Sequence, residues 1–177
     1  MHILHNFAHC PFCGSAQFHI QDNKSKRCAD CGHEYYLNPS SANAAFVVNH
    51  RGELLVIRRR KAPKAGMLDL PGGFADIGET AEEGVAREVK EETGLNVKRV
   101  DYLFSFPNTY LYSGMVIPTL DLFFRCHVDD FSTLHADDDA ASTLWLSPED
   151  IHPEQFAFES IRNGVAFFLK KLKKSSI

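Results

Sequence analysis

The apolar positions between residues 80 and 94 follow the spacing of a helix. They recur every four residues, so they share one face: Ala81, Val85 and Val89. Thr80 and Glu83 form a capping-box pair, in which each side chain accepts a hydrogen bond from the other residue's backbone N–H. Gly94 is the residue type that favours the left-handed turn after a helix. The pattern predicts a helix that begins after Thr80, ends before Gly94 and buries one face.

Runs of β-branched, aliphatic and aromatic residues predict strands on both sides of this helix. They cover residues 44–48, 53–59, 97–106, 116–128 and 143–146. The segment Asn49–Gly52 has the composition of a turn, so the first two strands are expected to form a hairpin. The segment 107–114 is polar and contains Pro and Gly, and is expected to be a loop.

Two more helices are expected near the C-terminus. Ser147, Pro148 and Asp150 are residue types that favour the first positions of a helix. Residues 159–173 carry apolar side chains at helical spacing: Ile161, Val165, Phe168 and Leu169.

Four cysteines dominate the N-terminal region. They form two Cys-x-x-Cys-Gly knuckles separated by 14 residues: Cys10, Cys13, Cys28 and Cys31. This spacing is typical of one tetrahedral structural Zn²⁺, and residues 16–21 and 26–28 could pair as a hairpin between the knuckles. Disulfides or free thiols are the alternatives, and disulfides need an oxidising compartment. The spacing predicts a zinc ribbon, whereas the fifth cysteine, Cys126, lies in an apolar strand and is expected to be buried.

Length and composition fit one domain of ordinary size with a small appendage. The chain has 177 residues, 44% hydrophobic and 24% charged. We expect a zinc ribbon at 1–34, a linker at 35–43 and a catalytic domain at 44–177. The net charge of −4 disfavours a broad nucleic-acid surface. No run is apolar enough for a membrane helix and no signal peptide is recognised, so the expected location is the cytoplasm.

Three glutamates give the predicted helix a second, charged face. Glu88, Glu91 and Glu92 stand at i, i+3 and i+4, where like charges repel each other. A hard divalent cation such as Mg²⁺ would neutralise them, and phosphate chemistry needs such a cation. Arg87 lies four residues before Glu91 and can bond it.

The segment Gly73–Leu95 matches the pattern GX5EX7REUXEEXGU, with U aliphatic, at every fixed position. The chain therefore resembles the Nudix hydrolase family. The resemblance implies an α+β fold, the Nudix α/β/α sandwich with a mixed sheet, here preceded by a small zinc ribbon. It also implies a hydrolase that cleaves a nucleoside diphosphate linked to another moiety.

The same resemblance implies a role for each motif position. Glu88, Glu91 and Glu92 would bind Mg²⁺ or Mn²⁺, with the Gly72 carbonyl as an extra ligand. Arg87 would orient a glutamate, and Glu79 would support the loop or bind metal through water. An acidic residue before the tryptophan-bearing strand can bind metal or act as base. Asp138 and Asp139 are the candidates for that role here, and a flexible acidic loop is the alternative.

Substrate contacts are expected outside the motif. Arg58 belongs to the basic cluster 58–61, which is either a phosphate clamp or a solvated strand end. Tyr110 and Tyr112 could stack on a base or flavin ring, or serve only in packing.

Nudix proteins with zinc ribbons resemble pyrophosphatases of NADH, ADP-ribose or FAD, so a small nucleotide is the expected substrate. The stretch SFPNTYLYSG departs from the NADH-type motif SQPWPFPxS. The alternatives are a non-catalytic nucleotide-sugar sensor and an RNA 5′-cap hydrolase. The ribbon could also mediate a homodimer.

Overall fold

The computed structural model describes residues 3–175. The chain divides into two compact units. One comprises the chain up to Pro39 together with Thr109–Pro118. The other comprises Ser40–Asn108 together with the chain from Thr119 onward.

The first unit contains a three-stranded antiparallel sheet. Its strands, in sheet order, are β1 (Phe18–Ile20), β2 (Ser25–Cys28) and β3 (Glu34–Tyr36), and a 3₁₀ turn at Ile3–Asn6 precedes them. The predicted hairpin between the knuckles is confirmed, because Phe18 pairs with Cys28 and Ile20 with Lys26. Its core is small, with Cys10, Phe18 and Cys28 at the centre. So little buried apolar surface gives only modest stability without a further cross-link.

The second unit contains two three-stranded sheets, except for the part of two strands at residues 109–118, which belongs to the first unit. In the first, β8 (Met115–His127) lies between β4 (Ser40–Val47) and β7 (Arg99–Tyr112). In the second, β5 (Leu54–Arg59) lies between β6 (Leu68–Asp69) and β9 (Ala140–Leu146). β4 runs parallel to β8, whereas both pairings of β5 are antiparallel. The strands are therefore mixed in direction, as expected.

Two helices cover opposite sides of these sheets. α1 spans Ala81–Thr93 and α2 spans Glu159–Ser175. Alternate residues of β4 enter separate cores: Phe46 packs in the core that contains Val165 of α2, and Val47 in the core that contains Val85 of α1. This is the α/β/α arrangement that the sequence predicts. No helix in the described part of the chain is long and apolar enough to span a membrane.

The expected hairpin between residues 44–48 and 53–59 is wrong. β4 pairs along its whole length with β8, from Ser40 opposite Thr119 to Val47 opposite Cys126. A single bridge, Val48 to Leu54, links the end of β4 to the start of β5. Pairing with β8, which is distant in sequence, stabilises β4 more than pairing with β5, because it allows both faces of β4 to be buried. The residues of the turn between β4 and β5 do not indicate this choice of partner.

The expected loop at 107–114 is also wrong. β7 continues through Tyr112, and only Ser113 and Gly114 form the turn into β8. Both turn residues have positive φ, 48° and 80°, which suits a tight two-residue hairpin. Pro107 is tolerated inside the strand because β7 lies at the edge of its sheet.

The expected helix starting at Ser147 does not form. The Asp150 amide donates to the Ser147 carbonyl at 2.9 Å and closes a single turn. His152 then adopts an extended conformation, φ −113° and ψ 108°, before a 3₁₀ turn at Pro153–Gln155. Proline disfavours the helical conformation in the residue before it, so Pro153 stops helix growth. α2, in contrast, begins at Glu159 as expected.

Candidate functional site

The caps of α1 form as the sequence predicts and fix its two ends. The Thr80 hydroxyl accepts from the Glu83 amide, and the Glu83 carboxylate accepts from the Thr80 amide. Gly94 adopts φ 70° and its amide bonds the Lys90 carbonyl. Because Val85 and Val89 are fully buried, the rotation of the helix about its axis is fixed as well. The glutamates of the opposite face therefore have defined positions.

The loop before α1 is held between β4 and two of these glutamates. The backbone N–H of Asn43 donates to the Gly73 carbonyl at 2.7 Å, and the backbone N–H of Ala45 donates to the Pro71 carbonyl at 2.8 Å. The Gly72 amide donates to Glu92 Oε2 at 2.9 Å. A Cβ on Gly73 would lie only 2.5 Å from Glu88 Oε1, so glycine is needed for this close approach.

Arg87 is the hub of the charged face. Its guanidinium donates to both carboxylate oxygens of Glu79, at 2.8 and 3.1 Å. It also donates to Glu88 at 2.9 Å and to Glu91 at 3.0 Å. The bonds from Arg87 and from the Asp76 amide lower the pKa of Glu79 to about 2. Glu79 is thus a permanently charged anchor for the arginine.

Glu88 and Glu92 are carboxyl groups in poorly solvated positions. Burial raises the pKa of Glu92 to about 9, and the hydrogen bond from Gly72 only partly opposes this. Burial also raises the pKa of Glu88, against the lowering effect of Arg87. The half-buried carboxyl group of Glu88, the buried one of Glu92 and the exposed carboxylate of Glu91 form a set of hard oxygen donors, the type of ligand that Mg²⁺ and Mn²⁺ prefer.

These carboxylates are not gathered around one point. Among the residues that the structure describes, only the four cysteines form a group of three or more acidic, histidine or cysteine side chains whose ligand atoms all lie within 4.8 Å. Arg87 holds Glu88 and Glu91, while Gly72 holds Glu92. Binding of one cation to all three carboxylates would therefore require at least some of these side chains to move.

The acidic segment 137–139 is attached to the end of α1. The Asp137 amide donates to the Glu92 carbonyl at 3.1 Å, and the His135 amide donates to the Thr93 carbonyl at 3.0 Å. Asp139 pairs with Lys61 at 2.6 Å. Asp138 adopts a positive φ of 45°, which is uncommon for a residue other than glycine.

A cavity of about 570 Å³ lies beside this segment, lined by Lys90, Glu91, His135, Asp137 and Asp138. Asp138 and Glu91 thus line the same cavity. The sequence motif predicts a role for Glu91, and the acidic segment predicts one for Asp138. Sequence reasoning missed Lys90 and His135. The spacing of Lys90 on α1 could have indicated the former, whereas His135 is brought there only by the loop that returns over the end of the helix.

The predicted substrate residues lie in different units. Arg58 belongs to the unit with the glutamates, where its guanidinium donates to the Gly66 carbonyl at 2.6 Å. Tyr110 and Tyr112 belong to the unit with the cysteines, and their rings lie 6.5 Å apart on β7. They are strand residues rather than loop residues. The structure therefore brings neither tyrosine together with Arg58 within one unit.

The four cysteines meet at one point, from two knuckles of the same geometry. Gly14 and Gly32 both have φ 75°, and their amides donate to the Cys10 and Cys28 carbonyls. The Sγ atoms of Cys10 and Cys31 are 3.8 Å apart, and those of Cys13 and Cys28 3.6 Å. A tetrahedral zinc site with Zn–S bonds of about 2.3 Å has S–S edges of about 3.8 Å, so the thiols fit zinc.

Comparison with known proteins gives the family. The model of the NUDIX domain matches residues 38–164. A protein named NAD-capped RNA hydrolase NudC from Haemophilus influenzae is 33% identical over 118 residues, which are 65% of this chain and 44% of that protein. The chain thus spans less than half the length of the curated relatives that it matches first.

Solved structures agree with the fold. A NUDIX hydrolase from Nitrosomonas europaea has a TM-score of 0.71 at 22% identity, covering 92% of this chain and 90% of that one. The NUDIX domain of Shewanella oneidensis NrtR, solved with ADP ribose, has a TM-score of 0.63 at 17% identity and covers 77% and 90%. With its domain match over most of the chain, this protein belongs to the Nudix family.

Proposed function

We propose that this Nudix protein is a metal-dependent pyrophosphohydrolase. It would cleave a nucleoside diphosphate linked to another moiety and release a nucleoside monophosphate. The proposal rests above all on Glu92, a buried carboxyl group bonded to the Gly72 amide. Burial of a carboxylate has a large desolvation cost, and a cation beside it would offset that cost by favouring the charged form.

Four groups would hold the cation: the carboxylates of Glu88, Glu91 and Glu92 and the carbonyl of Gly72. When bound, Mg²⁺ or Mn²⁺ neutralises diphosphate charge and lowers the pKa of a coordinated water. Arg87 makes two bonds to Glu79, which would hold the guanidinium in place if Glu88 and Glu91 turned towards the cation. Arg87 and Glu79 are in this view supporting residues that do not touch the substrate.

Asp138 and Asp139 are the candidates for the base. In the hydrolysis, the water oxygen forms a bond to one phosphorus, and the bond from that phosphorus to the bridging oxygen breaks. The base accepts the proton of the attacking water, and the bridging oxygen leaves as part of the second phosphate. Asp138 lines the cavity next to Glu91, whereas Asp139 is paired with Lys61, so Asp138 is the stronger candidate.

A small dinucleotide or nucleotide sugar is the proposed substrate class, with ADP-ribose, FAD and NADH as examples. The bound ADP ribose of the Shewanella structure supports a ligand of this type. The four basic residues 58–61 all bond groups of their own chain, namely the Gly66 carbonyl, Asp69, the Ala140 carbonyl and Asp139. They do not form a free phosphate-binding track, which disfavours a long RNA as the preferred substrate.

Cleavage of a dinucleotide cap from RNA is the second candidate. The relatives named NAD-capped RNA hydrolase favour it, since the bond cleaved is the same diphosphate linkage. The non-catalytic sensor is less well supported, because a pure sensor needs no carboxylates for metal.

A structural Zn²⁺ is the proposed occupant of the cysteine cluster. Four protein ligands leave no open position for a substrate, so the metal would stabilise the small core around Phe18. The ribbon would act in folding or association rather than in the chemistry.

The test is a panel of ADP-ribose, FAD, NADH and an NAD-capped RNA, each incubated with the protein and Mg²⁺. Products are separated by chromatography, and ¹⁸O-labelled water shows which phosphorus is attacked. Release of a monophosphate from a small compound, faster than from the RNA, is the expected result. A preference for the RNA would favour the second candidate, and silence across the panel would contradict hydrolysis.

Glu92→Gln and Glu82→Gln form a matched pair on α1 for this assay. Glu92→Gln should lower turnover by about a thousandfold or more, because Gln supplies no charge to the cation. Glu82 is exposed in the first turn of the same helix, so its variant should retain activity. Equal turnover in both variants would refute the metal assignment.

A further inference from the structure

Asn43, on β4, carries a polar side chain that is buried. It is 4% exposed, yet neither its Nδ2 nor its Oδ1 has a hydrogen-bond partner. Among the side chains that the structure describes, residues 3–172, these are the only buried N or O atoms found in that state. Leaving a buried polar group unsatisfied costs about 1–3 kcal/mol, so a chain that retains one gives reason to look for a role.

The side-chain amide of Asn43 lies against the charged face of α1. A Cβ on Gly84 would lie 2.7 Å from Asn43 Nδ2 and equally close to Glu79 Oε1. The two atoms are therefore separated by no more than twice that distance. Glycine inside a helix costs about 1 kcal/mol relative to alanine, and here the missing Cβ makes room for both groups. Asn43, Gly84 and Glu79 thus converge on one point.

Glu79 is the carboxylate that anchors Arg87, and Arg87 also holds two proposed metal ligands, Glu88 and Glu91. If those two ligands turned towards a cation, the bonds to Glu79 would be the contacts that still hold the guanidinium within the carboxylate face. A donor on β4 would give the Glu79 carboxylate a further contact, from a strand rather than from α1. The backbone of Asn43 already bonds the Gly73 carbonyl, so this residue is well placed to connect strand and loop.

We propose that Asn43 is a positioning residue for the metal site, whose amide donates to the Glu79 carboxylate when the cation is bound. The proposal rests on the metal-dependent activity proposed above. Asn43 would not touch the substrate or the cation. It would act through Glu79 and Arg87 on the orientation of Glu88 and Glu91, and partners of metal ligands typically change metal affinity by about 10–100-fold.

Two substitutions separate this role from a purely structural one. Asn43→Val replaces the amide by an apolar side chain of similar size that suits a strand. If Asn43 is only an unsatisfied polar group, the variant should be as stable as the wild type or more stable, with unchanged Mg²⁺ binding. Asn43→Asp keeps the shape, removes the donor and faces Glu79 with a like charge.

The experiment is a double-mutant cycle of Asn43→Val and Glu79→Gln on the full chain. Mg²⁺ affinity is measured by calorimetry and by the Mg²⁺-induced rise in Tm, so that the readout does not depend on turnover. We expect Asn43→Val to weaken Mg²⁺ binding about tenfold, and the double variant to bind no more weakly than Glu79→Gln alone. Asn43→Asp should weaken binding at least as much, and it replaces Asn43→Val in the cycle if the valine variant does not fold.

Thr119→Val is the matched control. Thr119 is equally buried, but on β8, and its hydroxyl bonds Asp121 rather than the motif. Its variant should lose stability while retaining Mg²⁺ affinity.

Wild-type Mg²⁺ affinity in both Asn43 variants, or an effect additive with that of Glu79→Gln, would overturn the inference. A wild-type protein that binds Mg²⁺ but hydrolyses nothing on the panel would contradict the proposed activity alone.

Discussion

The cysteine cluster and the glutamate face prepare for a metal in opposite ways. The four Sγ atoms already lie within 4.8 Å of one another. The glutamates are held apart, with Glu88 and Glu91 on Arg87 and Glu92 on the Gly72 amide. A preassembled set suits a metal that stays, whereas a dispersed set held by a protein cation suits one that arrives with the substrate.

Removal of zinc should have the largest effect, and it should affect one region only. Structural zinc in small domains is bound with about 10–16 kcal/mol, so chelation should unfold β1–β3. Peptides from residues 10–36 should then lose protection in hydrogen exchange measured by mass spectrometry. Peptides from α1 should keep theirs, because α1 packs in a separate apolar core.

Cys126→Ser and Cys28→Ser are the matched variants for zinc. Cys126 is buried in β8 and is not part of the four-cysteine cluster, so its variant should keep one zinc per chain by elemental analysis. Cys28→Ser should not. Full protection of β1–β3 without zinc would contradict the structural role of the metal.

Much of the charged face could be predicted from the sequence because it is local. The caps of α1, its apolar stripe and the bond from Arg87 to Glu91 all depend on residues within four positions of each other. The cysteine knuckles are local as well. Side chains at fixed helical or turn spacing meet whatever the rest of the chain does.

The errors arose where distant segments decide the outcome. β4 pairs with β8 and not with β5, the next strand in the sequence. The segment that contains Tyr110 is part of a long hairpin and not of a loop. The attachment of Asp137 to the end of α1 and the burial of Asn43 also depend on chain segments far apart in sequence. Neither has a local pattern that could have revealed it.

Asp69 is a buried carboxyl group outside both proposed metal sites, and its pKa predicts a pH dependence of folding stability. Burial raises its pKa to about 6, although Arg59 pairs with it at 2.9 Å. An unfolded Asp titrates near pH 4, so the folded state holds an extra proton between about pH 4 and 6. Stability contributed by this group is present below pH 4 and is lost as the pH rises through 6.

Asp69→Asn should remove that dependence. Relative to the variant, the wild type should lose about 2 kcal/mol of unfolding free energy between pH 4.5 and 6.5, measured by denaturant titration without added Mg²⁺. Equal pH dependence in both proteins would show that the Arg59 pairing already cancels the effect of burial.

The smallest expected effect concerns the cap that fixes the glutamate face. Thr80→Ala removes the hydroxyl bonded to the Glu83 amide and should cost about 1 kcal/mol of stability in denaturant unfolding. Thr80→Ser keeps a capping hydroxyl and should cost much less. If the two variants lose the same stability, the start of α1 is held by its packing and not by the capping box.

The most direct test of the account is a crystal structure with Mn²⁺, whose anomalous signal locates the ion. We expect a peak bounded by Glu88, Glu91, Glu92 and the Gly72 carbonyl. Glu88 and Glu91 should have left Arg87, and the two bonds from Arg87 to Glu79 should remain. An ion bound elsewhere, or a protein that binds Mn²⁺ in solution with Glu88 and Glu91 still on Arg87, would contradict the proposed metal site.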